Sequence, residues 1–188
     1  MRLAAYFLLW GLSFLYACNS GGSNSNGGGA TSPATGSTVV LAANDLGMHC
    51  MDREFSIFSI LPPFNVINAQ VIGHDVNGNP LLLEDLNVRV SYAAAGDATG
   101  SINSYSSGKT DFWLYAGSIF GVSLANGEGL TGLFLPGDDP LTRGPQPMGF
   151  NLPQGWFSAA GIPITPTDDA STINPYPLVE IRAHDLQT

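Results

Sequence analysis

Residues 44–52 read Asn-Asp-Leu-Gly-Met-His-Cys-Met-Asp, which sets Met48, His49, Cys50 and Met51 side by side between Asp45 and Asp52. Thioether, imidazole and thiolate are the donors that select copper(I); thiolate and imidazole alone suit zinc. Adjacent side chains of an extended segment point to opposite faces, so Met48 with Cys50 would share one side and His49 with Met51 the other. A closed site would need donors from further along the chain, and His74, Met148 and His184 are the soft residues there. The chain has no Cys-x-x-Cys-His, which removes covalent haem attachment, and no Cys-x4-His-x4-Met of the blue-copper type. Copper is therefore the cofactor this stretch points to.

The same residues fit two other chemistries. Cys50, with His49 beside it and two acids nearby, has the residue types of a thiol nucleophile. Its base would be His74 or His184, because chain neighbours rarely reach each other in the right geometry, and the acids would disfavour the thiolate. A third reading is structural: free cysteine is among the most buried residue types, and Cys50 with its methionines would pack a loop onto the core.

Other stretches carry weaker signals. Asp75-Val76-Asn77-Gly78-Asn79 resembles the front of a calcium loop, but Pro80 stands where the loop glycine belongs and Leu86 where the final glutamate belongs. A tight turn explains Asn77-Gly78 more simply. The pairs Asp138-Asp139 and Asp168-Asp169 read as solvated turn formers, with surface calcium as the alternative. Gly127–Gly132 matches G-x-G-x-x-G without a following helix, and Gly108-Lys109-Thr110 has only the tail of a phosphate-binding loop, so both read as turns. Glycoside hydrolysis needs only two carboxylates and stays open. Trp113, Trp156 and Phe157 could stack on sugars if exposed, although core packing is the commoner fate.

The N-terminus gives the address. Arg2 precedes an apolar run, Leu3–Ala17, too short for a transmembrane helix and ending in Leu15-Tyr16-Ala17-Cys18. It resembles a bacterial lipoprotein signal, residues 1–17, with Cys18 as the lipidated residue and Tyr16 as an unusual member of the box. Residues 18–37 are Gly, Ser and Asn at a density that cannot offset the entropy of ordering, which predicts a flexible tether. By the same resemblance, Asn19 rather than Asp after the cysteine favours the outer membrane of a diderm cell. Without Arg2, five basic residues face fifteen acidic ones. Nucleic acid is a poor partner for that charge, and the membrane is reached through lipid.

Residues 38–188 form one domain, long enough for a single core. Thr38–Ala42 reads as a strand entering the motif, and Phe55–Leu61 as another stopped by Pro62-Pro63. Asn68–Val76 and Leu81–Tyr92 flank Asn-Gly-Asn-Pro as a hairpin. Thr110-Asp111 starts a short helix, Asp111–Phe120, with Phe112, Tyr115, Ile119 and Val122 near helical spacing; Gly117 and the β-branched tail keep a strand as the alternative. Gly127–Tyr176 is turns linking short extended pieces. Leu178–His184 is a last strand with Val179, Ile181 and Ala183 on one face. The expected fold is mainly β, a single β-sandwich-like domain rich in Gly and Pro turns with one short helix.

The string Leu41–Ile72, with NDLGMHCMD and then FSILPPFN, resembles a group of exported bacterial proteins, some longer members of which carry c-type haem motifs. Gly161–Pro177, with GIPITPTDDA and NPYP, is similar to the group as well. The resemblance attaches no activity; it implies an extracytoplasmic redox or metal setting and maps its motif onto Asp45, Gly47, Met48, His49, Cys50, Asp52, Pro62, Pro63 and Asn65. The expectation is a non-catalytic binding or redox accessory lipoprotein, with an extracytoplasmic cytochrome or other envelope protein as partner. The alternatives are a thiol- or carboxylate-dependent hydrolase and a purely structural envelope protein.

Overall fold

Residue 65 opens the longest strand among the described residues, and its alternation of buried and half-buried positions organises the rest. In a computed structural model, residues 38–45, 53–57, 65–135 and 144–186 are described, all within the compact unit Thr31–Thr188. Strand β1 is Val39–Asn44, β2 Asn65–His74, β3 Pro80–Leu83, β4 Val88–Ala95, β5 Gln146–Pro147, β6 Gly149–Asn151, β7 Trp156–Ile162 and β8 Leu178–Asp185; the helix α1 is Phe112–Phe120. The fold is mainly β with antiparallel sheets, as the pattern of strands and turns along the sequence predicts.

Two antiparallel sheets result. In the first, β1, β2, β7 and β6 lie in that order, and β3 pairs with β2 beyond the end of β7. The second has the order β5-β4-β8. One apolar cluster joins them: Ile67, Ala69, Val71, Phe157 and Ala159 from the first, Val88, Val90 and Tyr92 from the second. Burial of such side chains contributes roughly 1.5–3 kcal/mol each. Tyr92 is fully buried, and its hydroxyl donates to the Phe134 carbonyl at 2.9 Å, so the core's one deep phenol does not cost an unmet donor. On β8, Val179, Ile181 and Ala183 turn inward as the alternation requires.

Three expectations need correction. The arm Leu81–Tyr92 is two strands, because Asn87 folds back on Glu84: the Asn87 amide donates to the Glu84 carbonyl and its Oδ1 accepts from the Glu84 amide. That turn sends β4 into the other sheet. Phe55–Ile57 is a turn and not the start of a strand, since Phe55 is an anchor packed edge-on against Phe112 at 5.1 Å; residues 58–61 lie outside the described residues. The helix forms where expected, yet it buries Phe112 and Ala116 while Ile119 is 44% exposed. Thr110 Oγ1 accepts from the Phe112 amide at its start, and Gly121, at φ 69°, ends it in the left-handed conformation glycine adopts without strain. Among the described residues no helix is long and apolar enough to cross a membrane.

Candidate functional site

Cys18, Met48, His49, Cys50, Met51 and Asp52 lie outside the described residues, as do Asp138 and Asp139. The flanks of the motif are described. On one side, the Asp45 amide donates to the Val66 carbonyl at 2.9 Å, at the end of β1. On the other, the Asp111 carboxylate accepts from the Phe55 amide at 2.6 Å, and the Asp111 amide donates to the Arg53 carbonyl. Asp111 thus serves this segment rather than capping α1 with its side chain.

The distant soft residues scatter. His74 ends β2 opposite Pro80, seven residues and about 23 Å of strand from the Asn44–Ile67 pair. A ligand set drawn from segment 46–52 would have to span that length to include it. His184 is exposed on β8 opposite Arg89, in the other sheet. Met148 is core, 6% exposed. Among the described residues no three His, Cys, Asp or Glu side chains converge as metal ligands.

The calcium-like stretch resolves into a turn that the chain uses three times. At Asp75, Asp97 and Asp168, the Asp amide donates to the carbonyl four residues on, and the Asp carbonyl accepts from the amide three residues on. Each carboxylate Oδ1 accepts from the amides two and four residues on: Asn77 and Asn79, Thr99 and Ser101, Ala170 and Thr172. The fourth position has positive φ, taken by Gly78 and Gly100 at 83° and 85° but by Ser171 at 66° in the third copy. Asn77 itself has no positive φ, so the hairpin closes by a type I turn and a following left-handed glycine, not by the two-residue turn that Asn-Gly suggests. All three carboxyls are held below their ordinary range. For Asp75 the leading cause is the Asn79 side-chain donor, and for Asp97 that of Thr99. For Asp168 it is the Thr172 amide, which with Ser101, Ala170 and the Lys109 charge outweighs the opposing effect of burial. A carboxylate so engaged is neither a free calcium ligand nor a proton donor near neutral pH.

Nor is the pair Asp168-Asp169 solvated. Asp168 is 4% exposed, and its Oδ2 accepts from the Ser101 hydroxyl at 2.9 Å. Asp169 accepts from the Ser104 amide and hydroxyl and pairs with Lys109 at 2.8 Å. Lys109, only 8% exposed, also donates to Asn103 Oδ1 and lies 3.9 Å above the Tyr105 ring. The phosphate-loop fragment is therefore a turn whose lysine is consumed internally. The end of β7 and the irregular residues 163–165 after it are held the same way: Asn65, Asn103 and Ser106 donate to the carbonyls of Ile162, Thr165 and Pro163. The other glycine-rich fragment is explained by contact, since a Cβ on Gly129 would stand 1.9 Å from the Gly161 carbonyl oxygen.

The three large aromatics sort cleanly. Phe157 is core; Trp113 packs on Phe112 and donates its indole N–H to Glu128; Trp156 is half-buried on the outer face of β7. Sequence reasoning missed the Lys109 network, in which Ser104 and Lys109 meet Asp169 across 60 or more residues, and the outward amides Asn68 and Gln70, which the alternation of β2 could have disclosed. No protein-family model, no curated protein and no solved structure matches the chain.

Proposed function

We propose that the chain is a lipid-anchored domain of the bacterial cell envelope, tethered through Cys18 at the outer membrane of a diderm cell. It acts without catalysis, as a binding or redox accessory, and holds a soft metal, copper, at Met48-His49-Cys50-Met51. What carries this reading is a run of four soft donors on a segment whose flanks, Asp45 and Arg53–Phe55, are both hydrogen-bonded to the domain. Anchored flanks lower the entropy a loop loses on closing around a metal. The order of an apolar run ending at Cys18, a polar tether and a β-domain supports the address. By resemblance alone, the partner is an extracytoplasmic cytochrome or another envelope protein.

The test is a metal count on the full chain, purified anaerobically in detergent and offered copper(I). About one copper per chain, lost in Cys50→Ala, is the expected result. No copper in either protein overturns the metal reading. Incorporation of labelled palmitate that disappears in Cys18→Ser checks the anchor.

A further inference from the structure

The outer face of the first sheet is unlike the rest of the surface. Its positions are Val39, Leu41 and Ala43 on β1, Val66 to His74 at alternate residues on β2, Pro80 and Leu82 on β3, and Trp156, Ser158 and Ala160 on β7, with Gly149 and Asn151 on β6. Not one is Asp, Glu, Lys or Arg, in a chain of formal net charge −9. Across three strands Leu41 opposes Gln70, and Trp156 stands beside Gln70, one residue beyond the Ala69–Phe157 pair. The next row is Ala43, Asn68, Ser158 and Gly149, small residues around one amide. Leu41, Ala43, Asn68, Gln70 and Trp156 line a groove of about 350 Å³, with Asn44 and Asp45 at one end.

The polar groups of this groove are unspent. Among the described residues the side chains of Asn68, Gln70 and Trp156 make no hydrogen bond, and the Asp45 carboxylate makes none either. Asn65 and Asn103, by contrast, donate their amide hydrogens to the backbone. Each carboxamide offers a donor and an acceptor together, which matches a hydroxyl group that both gives and takes a hydrogen bond. An indole face covers the C–H side of a sugar ring, and its N–H adds one directed donor. A face without charged side chains, with the Asp45 carboxylate at its end, selects against polyanions and for a neutral ligand.

We infer that this groove binds a neutral oligosaccharide, one ring stacked on Trp156 and its hydroxyls held by Gln70, Asn68 and Asp45. The inference does not rest on the metal reading or on Cys50.

Tryptophan quenching of the full chain, in a detergent free of sugar headgroups, tests it with maltohexaose, cellohexaose and N-acetylchitohexaose as probes. At least one probe is expected to bind saturably. Trp156→Ala should weaken it by about tenfold or more, followed by calorimetry because that variant loses the reporter, and Gln70→Ala by about fivefold. Trp113→Phe should leave it unchanged. Gln70 is at the surface, so its variant keeps the test valid if Trp156→Ala fails to fold. Saturation by none of the three probes overturns the inference, as does binding that survives Gln70→Ala unweakened. A dimer in sedimentation velocity that Gln70→Ala dissociates would give the face to a second copy, and also overturns it.

Discussion

Two regions of this domain are rich in amides, hydroxyls and turns, and they use them in opposite ways. In the belt formed by residues 97–109 and 162–174, polar side chains are committed to the chain's own backbone and to one another. Asn103 reaches Thr165, Ser106 reaches Pro163, Ser101 reaches Asp168, and Lys109 is enclosed by Asn103, Tyr105 and Asp169. On the outer face of the first sheet, Asn68, Gln70 and Trp156 stand over a backbone already satisfied by strand pairing, and their polar atoms are left for a ligand. Regular strands meet their own hydrogen bonds, whereas an irregular buried segment must borrow donors from side chains. The same residue types are structural in one place and available in the other for that reason.

The strongest way to break this contrast is through the half-buried ion pair between Lys109 and Asp169. Asp169→Ala leaves Lys109 enclosed without its counter-ion and should cost about 3 kcal/mol in urea unfolding. Lys109→Met combined with Asp169→Leu should recover most of that loss, since an apolar pair replaces two charges. A loss under 1 kcal/mol in the single variant would mean that the belt does not depend on the pair. Asn103→Ala should cost about 2 kcal/mol, because the Thr165 carbonyl loses its donor and Lys109 an acceptor.

Acid should act on the belt next. Asp168 is held below the ordinary carboxylate range in the folded chain. Its contribution is present above the ordinary value of about 3.9 and is lost as pH falls through the lower folded value. Amide exchange at residues 170–172 should therefore accelerate below about pH 4 before that of β2 and β7 does. Uniform acceleration would sink the distinction. A gain should come from Ser171→Gly, which gives the third turn the glycine its two sister turns have. Relief of the left-handed serine should stabilise the fold by about 0.5–1 kcal/mol.

The sandwich was legible in the sequence because a strand half-buried on one face writes its period into the residues. Val88, Val90, Tyr92 and the inward set of β8 were placed on their faces by alternation alone. The helix was legible from Thr110-Asp111, but its inner face was misjudged, since only packing against Phe55 decides between Ala116 and Ile119. The turn at Glu84–Asn87 did carry a local signal, the polar Glu-Asp-Leu-Asn with two turn-forming residues between apolar runs, which reading Leu81–Tyr92 as one arm passed over. The belt was illegible for a different reason: its bonds join residues such as Ser104 and Asp169, and no local pattern reports a contact over that separation. Asp168-Asp169 therefore looked like a solvated turn when it is the belt's centre.

The most direct measurement is a pair of urea unfolding curves, for Asn103→Ala and Gln70→Ala, taken under one set of conditions. The account expects a loss of about 2 kcal/mol for the belt amide and less than about 0.5 kcal/mol for the groove amide. Equal losses in the two variants, or a larger one for Gln70→Ala, would contradict it, because the groove amide would then be holding the fold together rather than facing a ligand.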